Sequence, residues 1–291
     1  MRLRFLLLSA AFGCSSAPVD PGDAADGGGV EVASDTLEDS VMDTAAIPDV
    51  GDAAEVPVPK VDLDGDGLDD AFEQSIVDAY LPYLSLDPKD GCARAVGVYR
   101  LRPHPDDPKR LHLIFDLLLE KDCGASGHVG DDEVFGATID PAKPAPAGLL
   151  AVRAISHQGT ACEAKTICGT CPGLTPCTTA TRKGKPGYPV VFYSKDKHGA
   201  YMEKAKCDGA CFFTNYCTLS PTPTEPRLAN AGEPGKPLIT DLTKAGFITA
   251  AEGWTEAALM NFDPWGGKNF GGAGSVTGDL TDPAFLTPAC P

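Results

Sequence analysis

Ten cysteines between Cys92 and Cys290, seven of them within 162–217, constrain this chain more than any other feature. Their meaning depends on compartment. The chain opens with Arg2 and Arg4, an apolar run from Phe5 to Phe12, and Gly13 before Cys14, which together read as an export signal over 1–13. In an exported chain an even number of cysteines predicts five disulfides, with 162–217 a loop-rich, stapled insertion. The competing reading is a four-thiolate zinc knuckle from Cys168, Cys171, Cys207 and Cys211, which suits a cytosolic protein. Spacing does not say which cysteine pairs with which.

The formal charge of −17 is concentrated near the front, where residues 15–60 carry eleven acids against one lysine. That stretch, 14–60 with its cysteine, lacks aromatics and periodicity and is expected to be a disordered acidic tether. No segment clusters the Lys and Arg that phosphate neutralisation needs, so nucleic acid is excluded as a bulk partner. No run of about 18 apolar residues predicts a membrane-spanning helix. Ala11-Phe12-Gly13-Cys14 resembles the lipobox of bacterial lipoproteins. The resemblance implies a lipid anchor at Cys14 and, with Ser15 following, a surface-exposed place on the bacterial outer membrane.

Asp62-Leu63-Asp64-Gly65-Asp66-Gly67-Leu68-Asp69-Asp70-Ala71-Phe72-Glu73 matches a twelve-residue calcium loop at each ligand position. Asp62, Asp64 and Asp66 supply carboxylates, Leu68 its carbonyl, Asp70 a water-bridged contact and Glu73 a bidentate carboxylate, around Ca2+. Six carboxylates in twelve residues repel one another unless a cation lies among them. Asp69 stands at the position that is apolar in paired loops, and Pro57 and Pro59 forbid an entering helix, so the loop is expected to act alone, as a structural staple. A helix should follow, with Phe72, Ile76 and Tyr80 on one stripe and Val77, Leu81 and Leu84 beside it. Loop and helix form one unit, 61–91.

Over 92–291 the period changes. Leu111, Leu113, Phe115, Leu117 and Leu119 alternate with Arg110, His112, Ile114, Asp116, Leu118 and Glu120, which predicts a half-buried strand. Ala95 to Leu101, Glu133 to Ile139, Leu149 to Ile155 and Pro189 to Tyr193 read as further strands between Pro and Gly turns. The expected fold is mainly β: an antiparallel β-sandwich preceded by the calcium loop and helix, with the disulfide-rich loop insertion.

Within it, Gly127-His128-Val129-Gly130-Asp131-Asp132-Glu133 concentrates chemistry. A strand starting near Asp131 turns Asp131 and Glu133 to one face and Asp132 to the other, with His128 and Asp122 nearby. Carboxylates with a single imidazole suit Ca2+ or Mg2+ as a second divalent cation better than zinc. The alternative is an acidic turn with a surface histidine. The phrase, with Lys121-Asp122 before it, resembles the signature of necrosis-inducing cytolysins. It looks more like the related domains named after vacuolar protein sorting-associated protein sixty-two. Tyr80 to Pro88, Ala154 to Gly159, Val190 to Tyr201 and Phe262 to Gly267 resemble further phrases of that group. The resemblance implies that Asp122, His128, Asp131 and Glu133 hold a cation that engages lipid sugars. Gly130 and Asp132 depart from it, replacing a His and a Trp of the cytolysin motif. His157 and His198 are further ligand-contact candidates.

The function expected is that of an exported, lipid-anchored surface protein that binds calcium and, through the second cation, a carbohydrate or lipid headgroup. The alternatives are a metal-dependent hydrolase using the same acids and histidine, or a purely structural envelope protein. Neither G-x-S-x-G nor H-E-x-x-H occurs, so no catalytic residue is assigned and the reading leans away from an enzyme.

Overall fold

The computed structural model describes residues 60–291 apart from Ala93; the signal segment, Cys14 and all of the tether before Lys60 lie outside the described residues. Helix α1 (Asp70–Tyr80) grows directly out of the acidic loop. Asp69 caps it, its carboxylate accepting from the Phe72 N–H at 3.0 Å and from the Val61 N–H at 2.8 Å. Asp70 and Glu73 fall in the first turn, where the helix dipole favours negative charge, and Pro82 ends the helix just past Leu81. Ile76, Val77 and Tyr80 are buried, whereas Phe72 is 39% exposed. The expected stripe is therefore one residue shorter, because the first turn still belongs to the loop and faces solvent.

The strands are β1 (Tyr83–Ser85), β2 (Ala95–His104), β3 (Asp107–Lys121), β4 (Val129–Ile139), β5 (Leu149–Ser156), β6 (Ala164–Gly169), β7 (Thr179–Arg182), β8 (Lys185–Tyr193), β9 (Ala200–Tyr201), β10 (Arg227–Asn230), β11 (Gly232–Glu233) and β12 (Lys236–Pro237). A six-stranded sheet runs β10-β2-β3-β4-β5-β6, and a second sheet runs β1-β8-β7 with β9 also on β8. The sheets are mixed, not purely antiparallel as expected: β10 pairs parallel to β2, and β1 parallel to β8. Side-chain alternation reports which face is buried and carries no information on partner direction. Nor is 162–217 a loop insertion, since it contributes β6 to one sheet and β7, β8 and β9 to the other.

One core cluster joins the two sheets and α1: Leu113, Phe115 and Leu117 of β3 meet Val191 and Tyr193 of β8 and Val77 of the helix. Phe115 stacks on Phe135 with ring centroids 5.0 Å apart. Burying each ring contributes roughly 1.5–3 kcal/mol relative to leaving it exposed. The other face of the large sheet is covered as well. Ile114, Leu118 and Val134 pack against Leu242, Trp254, Phe262, Phe270, Val276 and Phe285. Thus β3 is buried on both faces, not half-buried, with His112 and Asp116 each at 1% exposure or less. The polar side chains of that face hold the covering segment in place: Glu120 accepts from the Thr255 N–H at 2.5 Å, and Arg153 donates to the Leu286 carbonyl at 2.7 Å.

All ten cysteines pair, as Cys92–Cys123, Cys162–Cys211, Cys168–Cys177, Cys171–Cys290 and Cys207–Cys217. The four thiols of the zinc alternative each go to a different bond, which removes that reading.

Candidate functional site

The acidic loop turns on its own carboxylates. Asp62 accepts from the Gly65 and Gly67 N–H groups at 2.6 and 3.1 Å, and Asp66 from Leu68 at 2.7 Å. Gly67 sits at φ 96°, where a side chain would be strained. The turns bring ligand atoms of Asp62, Asp64 and Asp66 within 4.8 Å of one another, and likewise those of Asp64, Asp70 and Glu73. Asp70 also accepts from the Leu63 N–H at 3.1 Å, while Leu68 packs its side chain on the core. Three buried oxygens, Asp64 Oδ2, Asp66 Oδ2 and Glu73 Oε1, have no hydrogen-bond partner. Burial, then the charges of Asp66 and Asp64, push the Glu73 carboxyl from 4.5 up to about 9; burial, then Asp66, pushes Asp64 to about 6. A hard divalent cation satisfies oxygens so placed. Asp69 takes the place of a loop-pairing residue as the helix cap, a role that Asp before a helical run can signal.

The second set sits where β3 returns into β4. Pairing of Leu119 with Asp131, Leu118 with Asp132 and Leu117 with Glu133 puts Asp131 and Glu133 on one face and Asp132 on the other. Asp122 forms an ion pair with Lys197, and its Oδ1 accepts from the Gly124 N–H at 2.7 Å. His128 Nε2 lies 3.8 Å from Asp122 Oδ2, and its Nδ1 donates to the Gly130 carbonyl at 2.6 Å. Asp131 bonds His198 Nδ1 at 2.8 Å, while His198 Nε2 reaches Asp90 at 3.1 Å. Burial opposes charge on His198, but the hydrogen bonds and charges of Asp131 and Asp90 outweigh it and raise its pKa to about 9. Glu133 accepts from the Ala200 N–H at 3.0 Å; burial, then the charges of Asp131 and Asp132, hold its carboxyl well above the usual range. Asn215 donates to His157 Nε2 at 2.7 Å, and burial lowers the pKa of that histidine.

Thus Asp122 lies beside His128, and Asp131 beside His198, while Glu133 is held apart by a backbone donor. Lys197 and Asp90 were not legible as partners from the sequence. Both are tied in by the Cys92–Cys123 bond and by Asp196, whose carbonyl accepts from the Cys123 and Gly124 N–H groups at 2.9 and 2.8 Å. Gly130, where the cytolysin motif has His, adopts φ 74°, and a Cβ there would meet the Phe270 carbonyl oxygen at 2.2 Å. The glycine-rich segment 270–274 therefore lies directly on the motif turn.

Between that segment and the sheet opens a cleft of about 650 Å³ whose lining includes His128, Asp131, Glu133, His157 and Gln158. Asp132 and Asp279 line it too, and their ligand atoms come within 4.8 Å of each other and of Asp116. Asp132 accepts from the Gly274 N–H at 2.8 Å.

No family model matches this chain, and no curated protein matches it. Among solved structures it is similar to NLPPya in complex with glucosamine, at TM-score 0.31 and 16% identity over 60% of this chain and 78% of that one. It is also similar to a toxin fold for microbial attack and plant defense, at TM-score 0.24 and 16% identity over 53% of this chain and 66% of that one.

Proposed function

We propose that the protein is an exported surface protein, lipid-anchored at Cys14, whose folded part is a calcium-stapled, disulfide-bonded binding module. Its cleft takes a hydroxyl-rich ligand, a carbohydrate or a polar lipid headgroup. The observation that carries the reading is the acidic loop, where three buried carboxylate oxygens lack partners and ligand atoms converge in two groups, Asp62, Asp64 and Asp66 and Asp64, Asp70 and Glu73, that share Asp64. Ca2+ held by Asp62, Asp64, Asp66, the Leu68 carbonyl, Asp70 and Glu73 fixes the start of α1, and through Val77 and Tyr80 the core beneath the sheets. An affinity of roughly 10⁻⁴ to 10⁻³ M, typical of extracellular modules, suits a staple.

The second cation expected at Asp122, His128, Asp131 and Glu133 is the weaker part, since Lys197 and His198 already bring positive charge to two of its four residues. His198 is fully buried between two carboxylates, which suits a structural ion pair better than a general base, so the hydrolase alternative gains no support.

The test is calcium calorimetry on the full chain and Glu73→Gln, followed by glycan and lipid-headgroup panels at millimolar Ca2+ with wild type and Gln158→Ala. Loss of a calcium site in Glu73→Gln and retention of a glycan or headgroup that weakens in Gln158→Ala support the reading. Unchanged calcium binding sinks the staple, and an empty panel sinks the ligand class. Labelled palmitate entering wild type but not Cys14→Ser tests the anchor.

A further inference from the structure

Among the described residues, five of the nine buried carboxylates are matched to cations. Glu120 has Arg94, Asp122 has Lys197, Asp131 has His198, Asp140 has Arg110 and Asp241 has Lys244. Glu133 has a backbone donor in their place. Outside the calcium loop, one buried acid among the described residues stands apart: Asp116 is 0% exposed, and neither of its carboxylate oxygens has a hydrogen-bond partner.

Its position explains which groups it faces. Asp116 pairs with Val134 in the β3–β4 register, and Leu118 with Asp132, so Asp116 and Asp132 project from the same face. That face is the one covered by the C-terminal segment, where the four-residue helix Val276–Asp279 brings Asp279. Ligand atoms of Asp116, Asp132 and Asp279 lie within 4.8 Å of one another, and no ion pair of the described residues involves any of the three. Asp132 Oδ2 is also buried without a partner, while its Oδ1 is held by the Gly274 N–H. Desolvating an isolated carboxylate is costly unless it is paired or bound to a metal. Three carboxylates from three separate segments, with unpartnered oxygens on Asp116 and Asp132 and ligand atoms of all three within 4.8 Å of one another, have the donor chemistry of a hard-cation site.

We propose that Asp116, Asp132 and Asp279 form a divalent-cation site for Ca2+ or Mg2+, reached from the cleft that Asp132 and Asp279 line. It lies on the opposite face of the sheet from Asp131 and Glu133. It goes beyond the reading above, because it holds whether or not a sugar or headgroup enters the cleft. The cation replaces the missing basic partner of Asp116 and ties the covering segment to the central strands.

The experiment counts cations on the full chain by calorimetry with Ca2+ and Mg2+ and by electron paramagnetic resonance with Mn2+. Glu73→Gln serves as the background, so that the acidic loop is silent. A remaining site whose affinity falls about tenfold or more in Asp279→Asn and in Asp116→Asn, and persists in Asp131→Asn/Glu133→Gln, supports the assignment. Asp279 is only half-buried, so its variant keeps the test readable if Asp116→Asn fails to fold. A site lost in Asp131→Asn/Glu133→Gln and kept in Asp279→Asn overturns the assignment in favour of the cytolysin-like set. No site in the Glu73→Gln background also overturns it, with the three acids then sharing protons instead of a metal.

Discussion

The loop at 62–73 and the acids around the β3–β4 turn concentrate carboxylates to similar density, yet they neutralise them differently. At the turn, Asp122 and Asp131 are answered by Lys197 and His198, side chains that arrive from the β8–β9 connection. In the loop, Asp64, Asp66 and Glu73 keep buried oxygens with no protein partner. Negative charge answered from within the chain is structural and needs no bound solute. Left unanswered, it makes the fold responsive to a solute. On the proposed reading, the difference separates a fixed brace from a conditional staple within one core.

The largest expected effect tests the brace. His198→Ala leaves Asp90 and Asp131 buried and facing each other, which should cost about 3–5 kcal/mol, measured by denaturant unfolding with calcium present. A loss under 1 kcal/mol would break the comparison. Next comes the staple: at free calcium a hundred times its Kd, stabilisation should be about 2.7 kcal/mol. Chelation should therefore lower the melting temperature by roughly 5–11 °C. Glu73→Gln should lose that shift, keeping only the calcium dependence that the Asp116, Asp132 and Asp279 site supplies.

The pH dependence of the calcium-free protein is a sharper and smaller effect. With its carboxyl moved from 4.5 to about 9, Glu73 binds a proton more tightly folded than unfolded. Its contribution is complete below pH 4.5 and is lost as pH rises through 9. Melting temperatures of the chelated protein should fall across that window, and saturating calcium should flatten the fall. An equal slope in both states would place the alkaline loss elsewhere, such as in His198, whose pKa of about 9 gives the same sign. The smallest effect is Asp69→Ala, which removes the cap of α1 and should lower the melting temperature by roughly 2–4 °C without abolishing calcium binding.

What could be read in advance follows the same division. The loop is contiguous, so the positions of its acids along twelve residues already define their convergence. The strand pairing that puts Asp131 and Glu133 on one face also follows from period two, which is local. The same period turns Asp132 to the opposite face, as the β3–β4 register has it. What local alternation could not supply was its companions, since Asp279 lies 147 positions further along and joins through a segment with little periodicity of its own. Likewise Lys197 reaches Asp122 across 75 residues. The polar alternates of β3 suggested solvent because nothing in 242–285 announces a cover. Its apolar residues are spaced for irregular turns and short 3₁₀ helices, not for a strand or a long amphipathic helix.

The Cys171–Cys290 bond gives that cover a history as well as a position. Polypeptides are made from the amino end, and 119 residues separate the two sulfurs in sequence. The clasp therefore cannot close until β7 to β12 and the whole covering segment exist. Until then the second face of the large sheet, with Ile114, Leu118 and Val134 on it, is bare and adhesive. A nascent molecule thus passes through a stage in which that face lacks its cover. Cys290 stands last of the ten cysteines in the chain, so its bond is a seal applied after the contents are made.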